Sequence, residues 1–333
     1  MSATPSSAAN PAPACWRPLQ VHHDTGASDF AADMQRALSG SPRAISPKYF
    51  YDARGSQLFD AICELPEYYP TRTELQLLRS HAGEIAAQMG PRAEIVEFGA
   101  GSCAKVRLLL DAMERPARYL PIDISGEHLA AAAAELRGQY PALDVQPVIA
   151  DYTTRLLLPA QLPGAGQRVG FFPGSTIGNF TPPEALHFLE VAGQVLRGGA
   201  LLLGADLVKE PAVLHAAYND AQGVTAAFNL NLLARANREL GAGFALDQFA
   251  HSAFYNAPLQ RIEMHLVSRC RQQVALAGQL HEFAEGETLH TENSYKFTVD
   301  GLRTLAAGAG FRPGPVWTDP HRMFSLHWLH APA

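Results

Sequence analysis

The stretch Glu94-Ile95-Val96-Glu97-Phe98-Gly99-Ala100-Gly101-Ser102 constrains the fold more than any other part of the chain. A mostly apolar run ends in Gly-x-Gly, and Cys103 to Met113 then places apolar residues at helical spacing. This reads as strand, glycine turn, helix. Such a turn lets the backbone come close to a ligand, and the helix offers its N-terminal amides. The rhythm repeats downstream: strands are expected near 94–98, 118–122, 144–150, 168–173 and 199–205, with helices at about 103–114, 126–138 and 182–196. The last helix begins with Thr181-Pro182-Pro183-Glu184, a capping box with prolines in the first turn, and stops at Gly198-Gly199. Strands alternating with helices imply an α/β chain whose parallel sheet is covered on both faces.

Two ligand classes use a turn of this kind. A dinucleotide needs a third glycine so that its pyrophosphate can rest on the helix N-terminus, and here Ala104 stands at that place. S-adenosylmethionine carries no phosphate and needs only the tight turn. The next strand ends in Asp123, an acid about twenty residues on that can accept hydrogen bonds from both ribose hydroxyls of either ligand. Asp123 also fits a plainer role, capping the segment that starts at Ile124-Ser125-Gly126. Further strand ends carry polar groups: Asp151-Tyr152, placed to bind an adenine amine and cover its face or simply to form a turn; Phe171 to Phe180 with Asn179; and Asp206.

Composition narrows the partners. A formal charge of −6 without a basic cluster argues against nucleic acid. Cys15, Cys63, Cys103 and Cys270 lie far apart without CxxC spacing, as free thiols in a reducing cytoplasm do. The 13 histidines include no HExxH pair, so no metal is expected. No apolar run approaches the ~20 residues that span a bilayer. Residues 1–15, rich in Ala, Ser and Pro without a basic start, read as a disordered tail and not as a signal peptide.

Outside the alternating unit the pattern changes. Ser28 to Leu38 suits an amphipathic helix, and tyrosines crowd the loops around Tyr49-Phe50-Tyr51 and Tyr68-Tyr69 before a long helix starting near Thr73. Beyond Asp206, residues 209–241 read as one helix, with Lys209, Glu210, Arg235 and Arg238 on its solvated surface. Leu259 to Ser268 alternates like a half-buried antiparallel strand, with shorter strands at Val274-Ala275-Leu276 and Leu280 to Glu285. A capped helix over Thr298–Phe311 and a final strand over Met323–Leu329 return to the sheet. The expected division is therefore 16–73 plus 207–295 as a second lobe, and 74–206 plus 296–333 as the core. A cleft between them is the natural ligand site. Cys103, beside a helix start, is a reactive thiol only if its pKa is lowered; otherwise it is a small apolar spacer.

Five segments in order carry a specific resemblance: Tyr49 to Phe59 (YFYDARGSQLF), Leu65 to Glu74 (LPEYYPTRTE), Gly174 to Phe180 (GSTIGNF), Arg261 to Ser268 (RIEMHLVS) and Glu292 to Lys296 (ENSYK). Together they resemble the S-adenosylmethionine-dependent histidine Nα-methyltransferases of ergothioneine biosynthesis, and the resemblance runs from about Phe30 to the C-terminus. It implies a class I methyltransferase (Rossmann-like) sheet with an inserted α+β substrate-binding lobe. On the cofactor side it implies Gly99, Lys105, Asp123, Asp151 and Tyr152. On the substrate side it implies Tyr68, Gly174, Asn179 and Tyr218 around the carboxylate and amine, with Tyr51, Met264, Glu292 and Ser294 at the imidazole end.

Tyr51 and Asn179 are expected to act in catalysis by orienting the amine lone pair. Glu292, accepting from an imidazole N–H, would penalise an apolar side chain, because an unpaired buried acceptor costs about 1–3 kcal/mol. The implied reaction is methylation of the α-amine of L-histidine up to the trimethylated betaine hercynine, by a cytoplasmic monomer without nucleic-acid or membrane partners. Two other readings fit the same motifs in part: a methyltransferase acting on another amino acid, and a protein that binds the cofactor without turnover.

Overall fold

The computed structural model describes residues 19–20, 27–101, 103–124 and 126–333; the tail expected over 1–15 lies outside them. Among the described residues the main sheet has nine strands; two are short edge pairings, Leu19–Gln20 on Val148–Ile149 and Asp144–Val145 on Arg118–Asp123, and the other seven are Glu94–Phe98 (β1), Arg118–Asp123 (β2), Val148–Ile149 (β3), Arg168–Phe172 (β4), Ala200–Asp206 (β5), Arg312–Thr318 (β6) and Phe324–His330 (β7). They lie in the order β3-β2-β1-β4-β5-β7-β6. The first five run parallel, while β7 is antiparallel to both β5 and β6. A reversed strand wedged between β5 and β6 gives the class I methyltransferase sheet. Strand order turns back between β1 and β4, so the carboxyl ends of these strands frame the crevice where an open α/β sheet takes its ligand.

Both faces of the sheet are covered, which is why its strands read as apolar runs. One face packs Ile95, Tyr119, Phe171 and Trp328 against Leu77, Leu78 and Ile85 of the helix Tyr69–Met89. The other packs Val96, Phe98 and Phe172 against Phe188 and Leu189 of the helix Pro182–Val195. The capping box at its start forms, with the Glu184 carboxylate accepting from Thr181 N at 2.8 Å. The single strand expected over 144–150 is split into Asp144–Val145 and Val148–Ile149. Pro147 lies in the gap, and proline has no N–H to donate to a ladder.

A second core gathers Phe30, Met34 and Leu38 with Phe50, Leu58, Leu232, Ile262, Met264 and Leu289. Its sheet has four strands, ordered Arg43–Ala44, Thr288–Tyr295, Arg261–Ser268 and Phe249–Asn256. Chain exit and return are stitched together: Leu207 bridges Phe297, and Phe297 N donates to Asp206 O at 2.9 Å. The long helix begins at Tyr69, four positions before Thr73, with Pro70 in its first turn, where a missing N–H costs nothing. It spans both cores, since Tyr69 belongs to the second and Leu77 to the first.

The helix expected over 209–241 is two, Pro211–Tyr218 and Val224–Leu240. Asp220 ends the break by accepting from Val224 N and Thr225 N, both at 2.8 Å. The expected solvated face holds for Glu210 and Arg238, which are exposed, and is corrected for Lys209 and Arg235. Lys209 is buried against Asp206 and Tyr69, Arg235 stacks on Phe30, and Arg238 pairs with Asp52. No helix among the described residues is long and apolar enough to cross a membrane.

Candidate active site

Tyr51 is held by the motif that surrounds it. Asp52 caps the helix Ala53–Glu64, accepting from Gly55 N at 2.7 Å, while Asn231 and Arg238 donate to the same carboxylate. Gly55 has no alternative, because a Cβ there would lie 1.7 Å from the Phe50 carbonyl oxygen. Tyr51 is thus fixed between two helical turns, edge-on to Phe59 and Phe228 at 5.6 and 5.8 Å. Arg72 organises the next tyrosine loop by donating to the carbonyls of Leu65, Pro66 and Tyr68 at 2.6–3.1 Å. Tyr68 then meets Phe59 and Tyr218 edge-on. Burial pushes the Tyr51 and Tyr68 phenols well above their ordinary range, with the Glu292 charge adding to it. They remain neutral hydroxyls.

Tyr218 closes the helix Pro211–Tyr218, and its hydroxyl donates to Ser294 Oγ at 2.7 Å. Lys296, almost fully buried, donates to Ser294 Oγ at 2.8 Å and to the Tyr218 oxygen at 3.2 Å, and pairs with Asp206 Oδ2 at 2.8 Å. Asp206 also receives Tyr69 and Lys209. Burial would raise the Asp206 carboxyl, but Lys296 and Lys209 outweigh it and hold it below its usual range. Burial brings Lys209 down to about 8 against the pull of Asp206. For Lys296, burial works downward too, yet Asp206 and Tyr218 raise it overall.

Glu292 sits on Thr288–Tyr295 directly opposite Met264, so the two side chains share a face. The ladder slips between Met264 and His265, which pair with Glu292 and His290 and leave Thr291 as an extra residue. Thr291 and Glu292 are consequently both buried, and Thr291 is held by Asn229 and by the Met264 carbonyl. Burial raises the Glu292 carboxyl to about 7, with Lys296 working against the rise. Its carboxylate makes no hydrogen bond to any described residue. On the opposite face Glu263, His265 and His290 gather, with Arg261 2.6 Å from Glu263.

The Gly174 turn is clamped from the core. Both oxygens of the fully buried Glu74 accept from Gly174 N at 2.9 Å, and Lys105 pairs with Glu74 at 2.6 Å. The Gly174 N–H is therefore already engaged, leaving its carbonyl and its lack of a side chain to serve a ligand. At φ +79° the position also favours glycine. Ser175 Oγ accepts from Asp206 N at 2.9 Å. Asn179 ends the short Thr176–Asn179 turn, half-buried, and its amide makes no hydrogen bond among the described residues. The turn packs tightly on the end of the Glu292 strand, since a Cβ at Gly178 would lie 2.7 Å from the Tyr295 carbonyl oxygen.

The groups expected for the cofactor lie along the sheet's carboxyl edge. Gly99, at φ +73°, lies beneath Tyr152, whose hydroxyl would stand 3.4 Å from a Cβ there. Tyr152 rests edge-on against Phe98, Phe172 and Phe188. Asp123 is the last residue of β2. Asp151 is fixed by Thr153 N at 2.9 Å and faces Lys48 at 3.7 Å. Glycine against an aromatic roof, with two strand-end acids beside it, suits a nucleoside that carries no phosphate. Glu97 turns inward to Tyr119, and burial raises its carboxyl to about 7. Cys103 is no nucleophile, because burial, helped by Glu97, pushes its thiol up to about 12.

Tyr51, Tyr68 and Tyr218 thus all lie close enough to Glu292 for its charge to raise their phenols, and Tyr51 lies within electrostatic reach of Tyr152 as well. Lys105 joins Gly174 through Glu74. Glu74, Asp206, Lys209 and Lys296 bind these groups together; Glu74 and Lys296 were given no role by sequence reasoning, Lys209 was placed on a solvated surface, and Asp206, expected as a strand-end group at the ligand edge, is instead buried against Lys296, Lys209 and Tyr69. Glu74 and Lys296 lie inside two of the quoted motifs, and that was the available signal.

A family described as "Histidine-specific methyltransferase, SAM-dependent" matches residues 30–331. The chain is 44% identical to the histidine N-alpha-methyltransferase of Mycolicibacterium smegmatis, over 91% of this chain and 95% of that one. It is 41% identical to the protein of the same name from Mycobacterium tuberculosis, with the same coverage. It is also similar to ergothioneine biosynthesis protein 1 of Neurospora crassa, at 30% identity over 86% of this chain and 33% of that longer protein.

Proposed function

The chain belongs to the histidine-specific, S-adenosylmethionine-dependent methyltransferase family, and from that membership we propose that it methylates the α-amine of L-histidine, up to hercynine, as a step of ergothioneine biosynthesis. In this reading 16–73 with 207–295 form the substrate lobe, and 74–206 with 296–333 hold the cofactor. Gly99, Asp123, Asp151 and Tyr152 contact S-adenosylmethionine, with Lys105 acting through its pair with Glu74. Tyr68, Gly174, Asn179 and Tyr218 take the carboxylate and amine, while Tyr51, Met264, Glu292 and Ser294 take the ring. In this reading the protein works as a cytoplasmic monomer.

The observation that carries the ring assignment is Glu292, a buried acid without a hydrogen-bonding partner among the described residues, facing the same way as Met264. Such a group favours a ligand that donates a proton to it. Bound S-adenosylmethionine supplies an electrophilic methyl group on a sulfonium. The residues here hold the amine in line and keep water out. An α-amine titrates near 8 or above, so a fraction is in its attacking form at neutral pH, and the neutral Tyr51 hydroxyl or the Asn179 amide oxygen can accept one N–H and aim the lone pair.

The test is mass spectrometry of products from purified protein, S-adenosylmethionine and an equimolar mixture of the twenty amino acids. Mono-, di- and trimethylhistidine alone are expected. Glu292→Ala should raise the histidine KM by about 10–100-fold, the loss of one hydrogen bond to a charged group, with the cofactor KM unchanged. A different methylated amino acid would overturn the ring assignment.

A further inference from the structure

The three donors of the Lys296 ammonium have three acceptors: Asp206 Oδ2 at 2.8 Å, Ser294 Oγ at 2.8 Å and the Tyr218 oxygen at 3.2 Å. Between the two hydroxyls runs one further hydrogen bond of 2.7 Å. Each hydroxyl brings one proton. One of these two protons is used between them, and the ammonium occupies a lone pair on each oxygen. Whichever hydroxyl donates internally, one proton is left, and it points out of the triangle. Without the ammonium the same pair could instead accept from a ligand. Glu292 lies two residues from Ser294 on the same side of the strand, about 7 Å along it. That is the separation of two hydrogen-bonding groups flanking a five-membered ring.

We propose that Lys296 is the positioning residue that sets the polarity of this pocket. It makes the Tyr218–Ser294 pair present a proton beside the Glu292 acceptor, so that the site takes the imidazole as its neutral ring. One ring N–H is donated to Glu292, and the bare ring nitrogen receives the hydroxyl. An imidazolium, with two N–H groups, would set proton against proton. The proposal rests on Glu292 and Ser294 holding the imidazole, as argued above. The titratable groups around the pocket come from every packed element: Lys296 and Glu292 at the strand, Tyr218, Tyr51, Tyr68 and Cys63 from the helices and loops facing it, and Asp206 with Lys209 at the end of β5.

The test is calorimetric binding of Nα-trimethylhistidine, whose amine cannot titrate, to the S-adenosylhomocysteine-loaded enzyme between pH 5.5 and 8.5. If the ring binds neutral, the wild-type Kd is constant from pH 7.5 to 8.5 and rises tenfold or more per unit below about 6, where imidazole is protonated. Lys296→Met lets the complex keep one more proton. Its Kd relative to wild type should then change at least tenfold between pH 6 and 8.5, while Lys296→Arg keeps the wild-type profile. A wild-type Kd that climbs between pH 7.5 and 8.5 means that imidazolium is bound and overturns the proposal. So does a Lys296→Met ratio that is the same at every pH, the sign of a merely structural lysine. Absence of binding at all pH values overturns the imidazole assignment itself, and the proposal with it.

Discussion

Replacing Gly204 by alanine tests the clamp that holds the Gly174 turn. Gly204 lies in the middle of β5, and a Cβ there would stand 2.2 Å from Glu74 Oε1 and 3.1 Å from Phe324 Cε1. Ordinary contact needs 3.4 Å or more, so the carboxylate must retreat by about 1 Å. Its oxygens accept from Gly174 N at 2.9 Å and pair with Lys105 at 2.6 Å, and a retreat of that size carries them past hydrogen-bonding distance. Overfilling a packed interior costs about 1–3 kcal/mol, and a hydrogen bond to a charged group is worth about 1.5–3 kcal/mol. Together these give a destabilisation of about 2.5–6 kcal/mol. The assay is chemical denaturation combined with steady-state kinetics. Gly204→Ala should lower the midpoint and raise the histidine KM, because the Gly174 turn is no longer held. Adding Glu74→Ala should return part of the stability, since the two side chains then no longer compete for one volume, a coupling of about 1 kcal/mol or more. A Gly204→Ala protein within 0.5 kcal/mol of wild type and with an unchanged KM would show that Glu74 does not stand where this reasoning needs it.

Glu292 has a folded-state pKa of about 7 against an ordinary 4.5, so between these values the native state binds the extra proton. Stability from this group is present below about pH 4.5 and is lost as pH rises to 7, by about 3 kcal/mol. Glu292→Gln should therefore be the more stable protein at pH 8 and indistinguishable near pH 4.5 in denaturant titrations; equal stability at pH 8 would refute the burial argument. Cys103, with its thiol pushed up to about 12, should resist iodoacetamide at pH 7.5 in the native enzyme. Peptide mapping that finds it alkylated before unfolding would contradict that.

The main sheet was legible because parallel strands buried on both faces carry their partners' signature in their own composition. β1 is buried at all five positions, and the turn after it is written in two glycines. The loss of alternation after Asp206 was legible too, and the strands beyond it pair in a separate four-stranded sheet over a second core. Charged residues that meet partners far away in sequence were not. Arg235 and Arg238 look like any solvated helical pair, yet one lies over Phe30 and the other reaches the Asp52 carboxylate. Glu74 serves Gly174 one hundred residues on, and Lys296 pairs with Asp206 only because the chain returns beside its point of exit. Nothing local distinguishes such residues from surface charges, since the helix or strand that bears them forms equally well either way.

Glu292 shows the limit most sharply, because there the local rule points the wrong way. Successive strand residues face opposite sides, so Leu289 and Thr291 facing inward would put Glu292 outward, as an ordinary surface glutamate. The bulge opposite Met264 changes the parity. Thr291 is the unpaired residue, and from Glu292 onward the buried positions are the even-numbered ones, Glu292 and Ser294. One extra residue therefore turns the polar half of the strand into the enclosed pocket while leaving the apolar half, Leu289, in the core. It also fixes the order of groups along that half: acid, hydroxyl, then the Lys296 ammonium that governs both. Deleting Thr291 would restore strict alternation with Glu292 still opposite Met264 and Ser294 opposite Ile262 on the inward face, so the bulge is what lets the strand keep Thr291 without turning the acid outward. A strand can carry a buried carboxylate without sacrificing its core contacts when the bulge separates the two tasks, and the Asn229 and Met264 contacts to Thr291 keep it at that position.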